Sequence, residues 1–350
     1  MKKIIFVTNF FGNGGAARVM STLIEYFNKE STEIEVVSFL DRKDTYKIPQ
    51  NVKYTTLKYK KRGIKKIQRI KQLRKIFKKN PDATIISFES FVNMQTILAS
   101  IGLKNKVIVS ERNDPAIYGK KKIKKILRNI LYKQVSTLVC QTPDAKEYFP
   151  KKIQDKTVVI PNPIMEGLPE KYNGVRKKII VNFCRIEPQK NLKLLIDAFI
   201  QLHKEFPEYK LNIYGDGAAK NEIKNYIKEQ NMDQHVILYD FIQNIHEEIV
   251  DNAMFVSSSD YEGISNSMLE AMAMGLPVVV TNCPCGGAKM FVKNNENGIL
   301  VDVRDKEALY EGMKKIITDN IFAEKISNEA IKIKEELNSD KISKKWIERI

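Results

Sequence analysis

The chain has 350 residues, too many for one ordinary domain and enough for two, with 43% hydrophobic residues and a net charge of +17. No stretch offers the roughly 20 uninterrupted apolar residues of a membrane span, and the apolar start Ile4–Val7 stops at Thr8-Asn9, too soon for a signal peptide; a protein resident in the cytoplasm is expected. The charge is lopsided: residues 1–160 hold 34 Lys and Arg against 13 Asp and Glu, a balance of +21, and the remainder is at −4. The first half therefore wants an anionic partner.

In chain order, Lys3–Thr8 reads as a buried strand, Ala16–Asn28 as an amphipathic helix and Ile34–Leu40 as a strand. Residues 64–79 and 120–135 carry helical periodicity, and Thr84–Phe88, Lys106–Val109 and Thr137–Cys140 are further strands. Ile160-Pro161-Asn162-Pro163 breaks the pattern, and a polar linker is expected over 164–178. The alternation then restarts. Ile179–Cys184, Tyr209–Tyr214, His235–Leu238, Ala253–Ser257, Pro277–Thr281 and Gly298–Val301 read as strands; Leu192–Glu205, Glu222–Glu229, Ser267–Met274 and segments from Lys306 onward read as helices. Strand–helix alternation implies parallel sheets with crossover helices. The expected organisation is a basic domain over 1–163, a second over 179–335, and a terminal helix over 336–350 that could return to the first. Two such units would face each other across a cleft at their strand C-terminal ends.

Three segments carry chemistry. Asn9–Arg18 contains Gly12, Gly14 and Gly15 between strand and helix, where the backbone can approach an anion at a helix N-terminus. Gly12, Gly14 and Ala17 also satisfy a dinucleotide-binding pattern with Asp41 as the ribose acid, so an NAD-dependent oxidoreductase stands as an alternative. Arg185 and Lys190 follow the first strand of the second half and precede a helix, a good setting for a diphosphate. Glu262 and Glu270 are separated by seven residues; Ser265, Asn266 and Ser267 sit at the intervening helix start, and Glu270 lies among Met268, Leu269, Ala271 and Met272. A carboxylate in that apolar company needs a partner. Cys283-Pro284-Cys285 has neither the spacing nor the second pair of a zinc site. His203 and His246 read as solvated helix residues and His235 as a strand flank.

Glu262 to Val278 resembles the signature of family 4 of the retaining GT-B glycosyltransferases, the group 1 glycosyl transferase domain: two glutamates with seven residues between them, followed by Ala-Met-Ala-Met-Gly-Leu-Pro-Val. Gly14-Gly15-Ala16, the Arg185/Lys190 pair, Tyr214–Gly217 and Asn297–Val301 also fall where that family has them. Ser110–Pro115, taken with Cys283–Gly287, resembles members that extend lipid-linked oligosaccharides and capsular polysaccharides. The resemblance implies an α/β GT-B fold of two facing Rossmann-like domains with parallel sheets and an interdomain cleft. It implies a nucleotide-sugar donor, UDP-linked by expectation, and a polyprenyl-diphosphate-linked glycan acceptor. Arg185 and Lys190 would neutralise the leaving diphosphate and Glu262 would bind the transferred sugar. Gly15, Gly215, Ser265, Asn266, Ser267 and Glu270 would hold the donor, with Glu270 on the ribose. Gly14, Glu111 and Asp114 would lie toward the acceptor. The sequence has no Asp-x-Asp pair, so no metal or other cofactor is expected. Members with a histidine in the first domain have no counterpart here, since all three histidines fall in the second half.

Lys58–Lys79 carries twelve cations and no acid. A stripe of Ile67, Ile70, Leu73 and Phe77, flanked by Lys65, Arg69, Arg74 and Lys75, is expected to lie on an anionic membrane surface, which would make the protein peripheral on the inner face of the cytoplasmic membrane. For 120–135 the apolar stripe is expected to face the domain core. Base-stacking aromatics are not interleaved with the basic run, and no nucleic-acid partner is expected. An acceptor in solution and a non-enzymatic basic adaptor are the remaining alternatives.

Overall fold

The computed structural model describes residues 2–12, 14–41, 46, 48–58, 65–118 and 122–350. It divides into two units, residues 1–163 with 339–350, and residues 164–338. The linker expected over 164–178 groups with the second unit, and the terminal helix with the first.

The first unit runs β1 (Lys3–Thr8), α1 (Gly15–Lys29), β2 (Glu33–Ser38), β3 (Lys53–Thr56), α2 (Lys65–Lys79), β4 (Thr84–Phe88), α3 (Ser90–Ser100) and β5 (Val107–Ser110). It continues through α4 (Pro115–Tyr118), α5 (Lys122–Tyr132), β6 (Thr137–Cys140), α6 (Pro143–Glu147), α7 (Lys151–Gln154) and β7 (Thr157–Val159). Its sheet has the order β3-β2-β1-β4-β5-β6-β7, all pairs parallel. Ile4–Val7 and Ile85–Ile86 are fully buried because both faces of a parallel sheet are covered by helices.

The second unit runs β8 (Lys177–Phe183), α8 (Leu192–Glu205), β9 (Lys210–Tyr214), α9 (Lys220–Glu229), β10 (Val236–Tyr239), α10 (His246–Ile249) and β11 (Asn252–Ser257). Then come α11 (Asn266–Ala273), β12 (Val278–Thr281), β13 (Ile299–Val301), α12 (Lys306–Thr318), α13 (Asn320–Ala330) and α14 (Ile333–Glu336). The sheet order is β10-β9-β8-β11-β12-β13, again parallel. The last helix, α15 (Ser339–Ile347), belongs to the first unit, where Trp346 is fully buried and its ring lies 5.6 Å from that of Phe88 on β4.

In both sheets the chain builds outward on one side of the first strand and then returns to its other side. The reversal falls between β1 and β4 in one unit and between β8 and β11 in the other. Ligands of open α/β sheets bind at such reversals, at the strand C-terminal ends. No helix among the described residues is long and apolar enough to cross a membrane.

Candidate active site

The loops that leave β8 and β11 are tied together across the reversal of the second sheet. After β8 the chain makes a 3₁₀ turn at Pro188–Lys190 and enters α8 through Asn191, which takes a left-handed conformation at φ 44, ψ 48. Ser258 Oγ, just past β11, donates to the carbonyls of Lys190 at 2.9 Å and Asn191 at 3.0 Å. The Asp260 amide donates to the Gln189 carbonyl at 2.8 Å, and Asn191 Nδ2 donates to Asp260 Oδ1 at 2.9 Å. This lacing brings the Lys190 ammonium onto the Glu262 carboxylate, which also accepts from Ser259 Oγ at 3.0 Å. Both side chains are largely buried. Burial opposes the Lys190 charge, but the Glu262 carboxylate outweighs it and raises its pKa above the ordinary lysine value. The sequence reading gave Lys190 and Glu262 separate partners, diphosphate and sugar; in the structure they hold each other. Arg185 is exposed beside them and joins no ion pair among the described residues.

Ser265 caps α11, accepting from the Met268 amide at 3.4 Å, and Asn266 and Ser267 form the first turn of the helix. One turn on, Glu270 is buried, as are its helix neighbours Met268, Leu269, Ala271 and Met272. Its partner is His246, whose Nε2 lies 2.9 Å from Glu270 Oε2. His246 is therefore not the solvated residue that its place in a polar stretch suggested: it is buried, with its ring edge-on to Phe183 at 6.0 Å. The signal was a carboxylate among apolar sequence neighbours, but nothing in the spacing identified which residue would meet it.

Two glycines let the surrounding loops close. A Cβ on Gly215, at φ 151, would lie 1.9 Å from the Cys184 carbonyl, and one on Gly287 would lie 1.7 Å from the Gly263 carbonyl. The second contact seats the Cys283–Gly287 segment under the Glu262 loop. Cys283 Sγ donates to the Ser259 carbonyl at 2.9 Å. Burial pushes the Cys283 thiol up to about 12 and the Cys184 thiol to about 11, so both stay protonated and act as packing groups. Arg185, Lys190, Gly215, Glu262, Ser265, Asn266, Ser267 and Glu270 thus all lie at or just beyond the C-terminal ends of adjacent strands of one sheet.

The remaining candidates belong to the first unit. Gly14 and Gly15 start α1, with Gly14 at φ 151 and room for a Cβ, so backbone conformation rather than crowding requires glycine there. Asn13 lies outside the described residues. Glu111, expected toward the acceptor, is instead engaged inside the domain: it is 3% exposed and accepts from Ser90 Oγ and Tyr132 Oη. Burial raises its pKa against the opposing pull of Arg128, Ser90 and Tyr132. Asp114 is likewise turned to local use, its Oδ1 accepting from the Ala116 amide at 2.8 Å at the start of α4. A residue the sequence reading passed over is Glu89, exposed at the C-terminal end of β4 beside the reversal. Its φ of 75 and ψ of 134 are rare for a side-chain-bearing residue, and such strain concentrates at functional sites.

The Glu111 environment has a measurable consequence. Its folded-state pKa stands above the usual value of 4.5. As pH rises through the window from 4.5 to the raised value, the folded chain keeps a proton that the unfolded chain has released, so stability falls with rising pH across that window. Glu111→Gln should flatten that slope. Thermal melts of both proteins between about pH 5 and pH 8 check it, and parallel curves would contradict it.

The membrane stripe expected on α2 is corrected. Leu73 and Phe77 are fully buried, and Arg69 is 9% exposed, with its guanidinium 4.7 Å from the Phe39 ring centre and 5.5 Å from that of Phe91. Arg74 donates to the carbonyls of Ala99 at 3.0 Å and Ile101 at 2.7 Å. Burying two apolar residues against α3 outweighs exposing them; what α2 shows outward is Lys65, Lys66, Ile67, Lys71, Lys75, Lys78 and Lys79. Residues 59–64 of the basic run lie outside the described residues.

Comparison with known proteins agrees with this architecture. Residues 168–333 match the family described as glycosyl transferases group 1, and residues 13–165 match glycosyltransferase family 4. A Campylobacter jejuni "GalNAc-alpha-(1->4)-GalNAc-alpha-(1->3)-diNAcBac-PP-undecaprenol alpha-1,4-N-acetyl-D-galactosaminyltransferase" is 26% identical, over 100% of this chain and 98% of the relative. A second protein of that organism, an N-acetylgalactosamine-N,N'-diacetylbacillosaminyl-diphospho-undecaprenol 4-alpha-N-acetylgalactosaminyltransferase, is 26% identical over 94% of each. Among solved structures, Anabaena HepE in complex with UDP and glucose superposes with a TM-score of 0.86 at 18% identity, covering 99% of both chains. That likeness extends to the fold alone.

Proposed function

The chain belongs to the family 4 glycosyltransferases, with a group 1 glycosyl transferase domain as its second half, and on that premise we propose that it moves a sugar from a UDP-sugar to a membrane lipid-linked glycan, with retention of anomeric configuration and without a metal. The oxidoreductase and adaptor alternatives are set aside by that membership. The observation that carries the donor reading is the gathering of Arg185, Lys190, Glu262 and Glu270 around the β8/β11 reversal and the α11 N-terminus. HepE shares the fold and its structure holds UDP, which makes a uridine donor the first to try. The acceptors and transferred N-acetylgalactosamine in the names of the two Campylobacter relatives support a polyprenyl-diphosphate-linked acceptor and an N-acetylhexosamine as the first sugar to try.

In this reading the ribose hydroxyls meet Glu270, held in orientation by His246, and the phosphates meet the α11 N-terminus with Arg185 and Lys190. Glu262 faces the sugar while balancing the Lys190 charge. Cleavage breaks the bond from the anomeric carbon to the diphosphate oxygen. The acceptor hydroxyl oxygen takes its place on the same face, and its proton passes to the departing phosphate. Negative charge grows on the leaving group, and fixed cations with helix N–H groups stabilise it where it develops. Transfer should therefore continue undiminished in excess EDTA, measured as UDP release in the presence of acceptor. Activity that disappears with EDTA and returns with Mg²⁺ or Mn²⁺ would overturn the role given to Arg185 and Lys190. Transfer to a water-soluble glycan but not to a lipid-linked one would select the soluble-acceptor alternative.

A further inference from the structure

Helix α5 is built inside out. Ile123 is 81% exposed, Ile126 51%, Leu127 44% and Ile130 51%, while Arg128 is fully buried together with Leu131 and Tyr132. The four exposed residues fall at i, i+3, i+4 and i+7, one stripe of the helix. The inward face fixes this rotation. Arg128 Nη1 donates to the Pro115 carbonyl at 2.7 Å, and its guanidinium lies 5.2 Å from the Tyr148 ring centre and 4.9 Å from that of Phe149. Tyr132 donates to Glu111 and accepts from Asn93 Nδ2 at 3.1 Å. Turning the isoleucines inward would tear a buried cation and a buried phenol from their partners. The sequence reading sent this stripe to the core because periodicity shows which residues share a face but not which way the face points.

Lys122 and Lys124 are exposed on opposite flanks of the stripe. Helix α3 packs against both α2 and α5, so the three form one layer on the first unit's sheet. No Asp or Glu occurs in any of them, and the outward side of α2 adds Lys65, Lys66, Lys71, Lys75 and Lys78. We propose that this layer is the membrane-docking face of the protein, with the Ile123-Ile126-Leu127-Ile130 stripe entering the interfacial zone of an anionic bilayer and the α2 lysines lying over its headgroups. The proposal deepens the lipid-linked acceptor reading, since such a surface would hold the enzyme where its acceptor is embedded. A second copy of the chain is a poor occupant: a two-fold pairing would bring this carboxylate-free face against itself, cation to cation. Apolar burial flanked by lysines is instead the chemistry by which amphipathic helices bind anionic bilayers.

The test is flotation of the whole chain with vesicles of phosphatidylglycerol and phosphatidylcholine, and with phosphatidylcholine alone. Wild type should float with the anionic vesicles and be released by salt. The combined variant Ile123→Gln, Ile126→Gln, Leu127→Gln, Ile130→Gln should lose at least about tenfold in vesicle partition. The combined variant Lys65→Gln, Lys71→Gln, Lys75→Gln should lose the preference for anionic over neutral lipid. Both changes are on exposed positions, and both variants should bind UDP as wild type does, which reports the intact fold and donor site. Wild-type flotation of the apolar variant would overturn the proposal, as would failure of wild type to float. Sedimentation showing a wild-type dimer that the apolar variant dissolves would assign the stripe to self-association instead. Wild type that floats but extends no lipid-linked glycan would sink the acceptor reading and leave the docking face standing.

Discussion

Lys190→Ala is expected to lower kcat by about two to three orders of magnitude, the usual effect of removing one group that stabilises developing charge, while weakening UDP binding by much less. The asymmetry follows from where charge appears: the bound donor already carries its phosphate charges, and cleavage adds more at the oxygen that leaves. In the structure the ammonium is held by Glu262 and by the loop lacing through Ser258 and Asp260, so it is positioned before any ligand arrives. Part of the loss will reflect Glu262, left without its cation in a largely buried place. A double-mutant cycle with Glu262→Gln separates the two: if Lys190 acts only as the partner of Glu262, the double variant will recover much of the lost rate; if it acts on the leaving group, it will not. Single-turnover rates and UDP titrations of the four proteins are the measurement. A kcat within a few-fold of wild type for Lys190→Ala would contradict the assignment.

Glu270→Ala should weaken UDP and UDP-sugar binding together, by about 1.5–3 kcal/mol or roughly ten- to a hundredfold, the range for a charge-assisted hydrogen-bond pair. Both ligands lose equally because the ribose is common to them. His246→Ala should act in the same direction and by less, since the carboxylate remains but its hold on one oxygen is gone. Glu262→Ala should contrast with both, impairing UDP-sugar binding more than UDP binding. Calorimetric titration of each variant with the two ligands checks the pattern. Unchanged affinity in Glu270→Ala would remove it from the donor site.

All strands of the two sheets except β3 and β7 were legible because each is a short apolar run bounded by turn residues, and the alternation with amphipathic helices implied parallel order. Two elements escaped for reasons the structure shows. Helix α3, Ser-Phe-Val-Asn-Met-Gln-Thr-Ile-Leu-Ala-Ser, is packed between α2 and α5, and Ser90, Asn93, Gln95 and Thr96 are buried along with its apolar residues. With no solvated side it has no amphipathic period to read. Strand β3, Lys53–Thr56, is a four-residue edge strand with no apolar run. In the site, the two glutamates and the Arg185/Lys190 loop could be found from spacing and composition. Their mutual arrangement could not, because the Lys190–Glu262 pair and the His246–Glu270 hydrogen bond join residues 72 and 24 positions apart through the sheet. The basic run and the 120–135 stripe were both visible, yet which apolar stripe faced the core was decided by Arg128 and Tyr132 on one helix and by Leu73 and Phe77 on the other.

The central claim is sugar transfer from a uridine donor, and one measurement tests it most directly. The purified protein is incubated with EDTA, a membrane lipid extract and, in turn, a panel of radiolabelled UDP-, GDP- and dTDP-sugars. Label should move from a UDP-sugar into organic-extractable material with release of an equal amount of UDP, and that material should surrender the glycan on mild acid, as a polyprenyl diphosphate does. No transfer from any UDP-sugar, with transfer from a GDP- or dTDP-sugar or from none, would contradict the account.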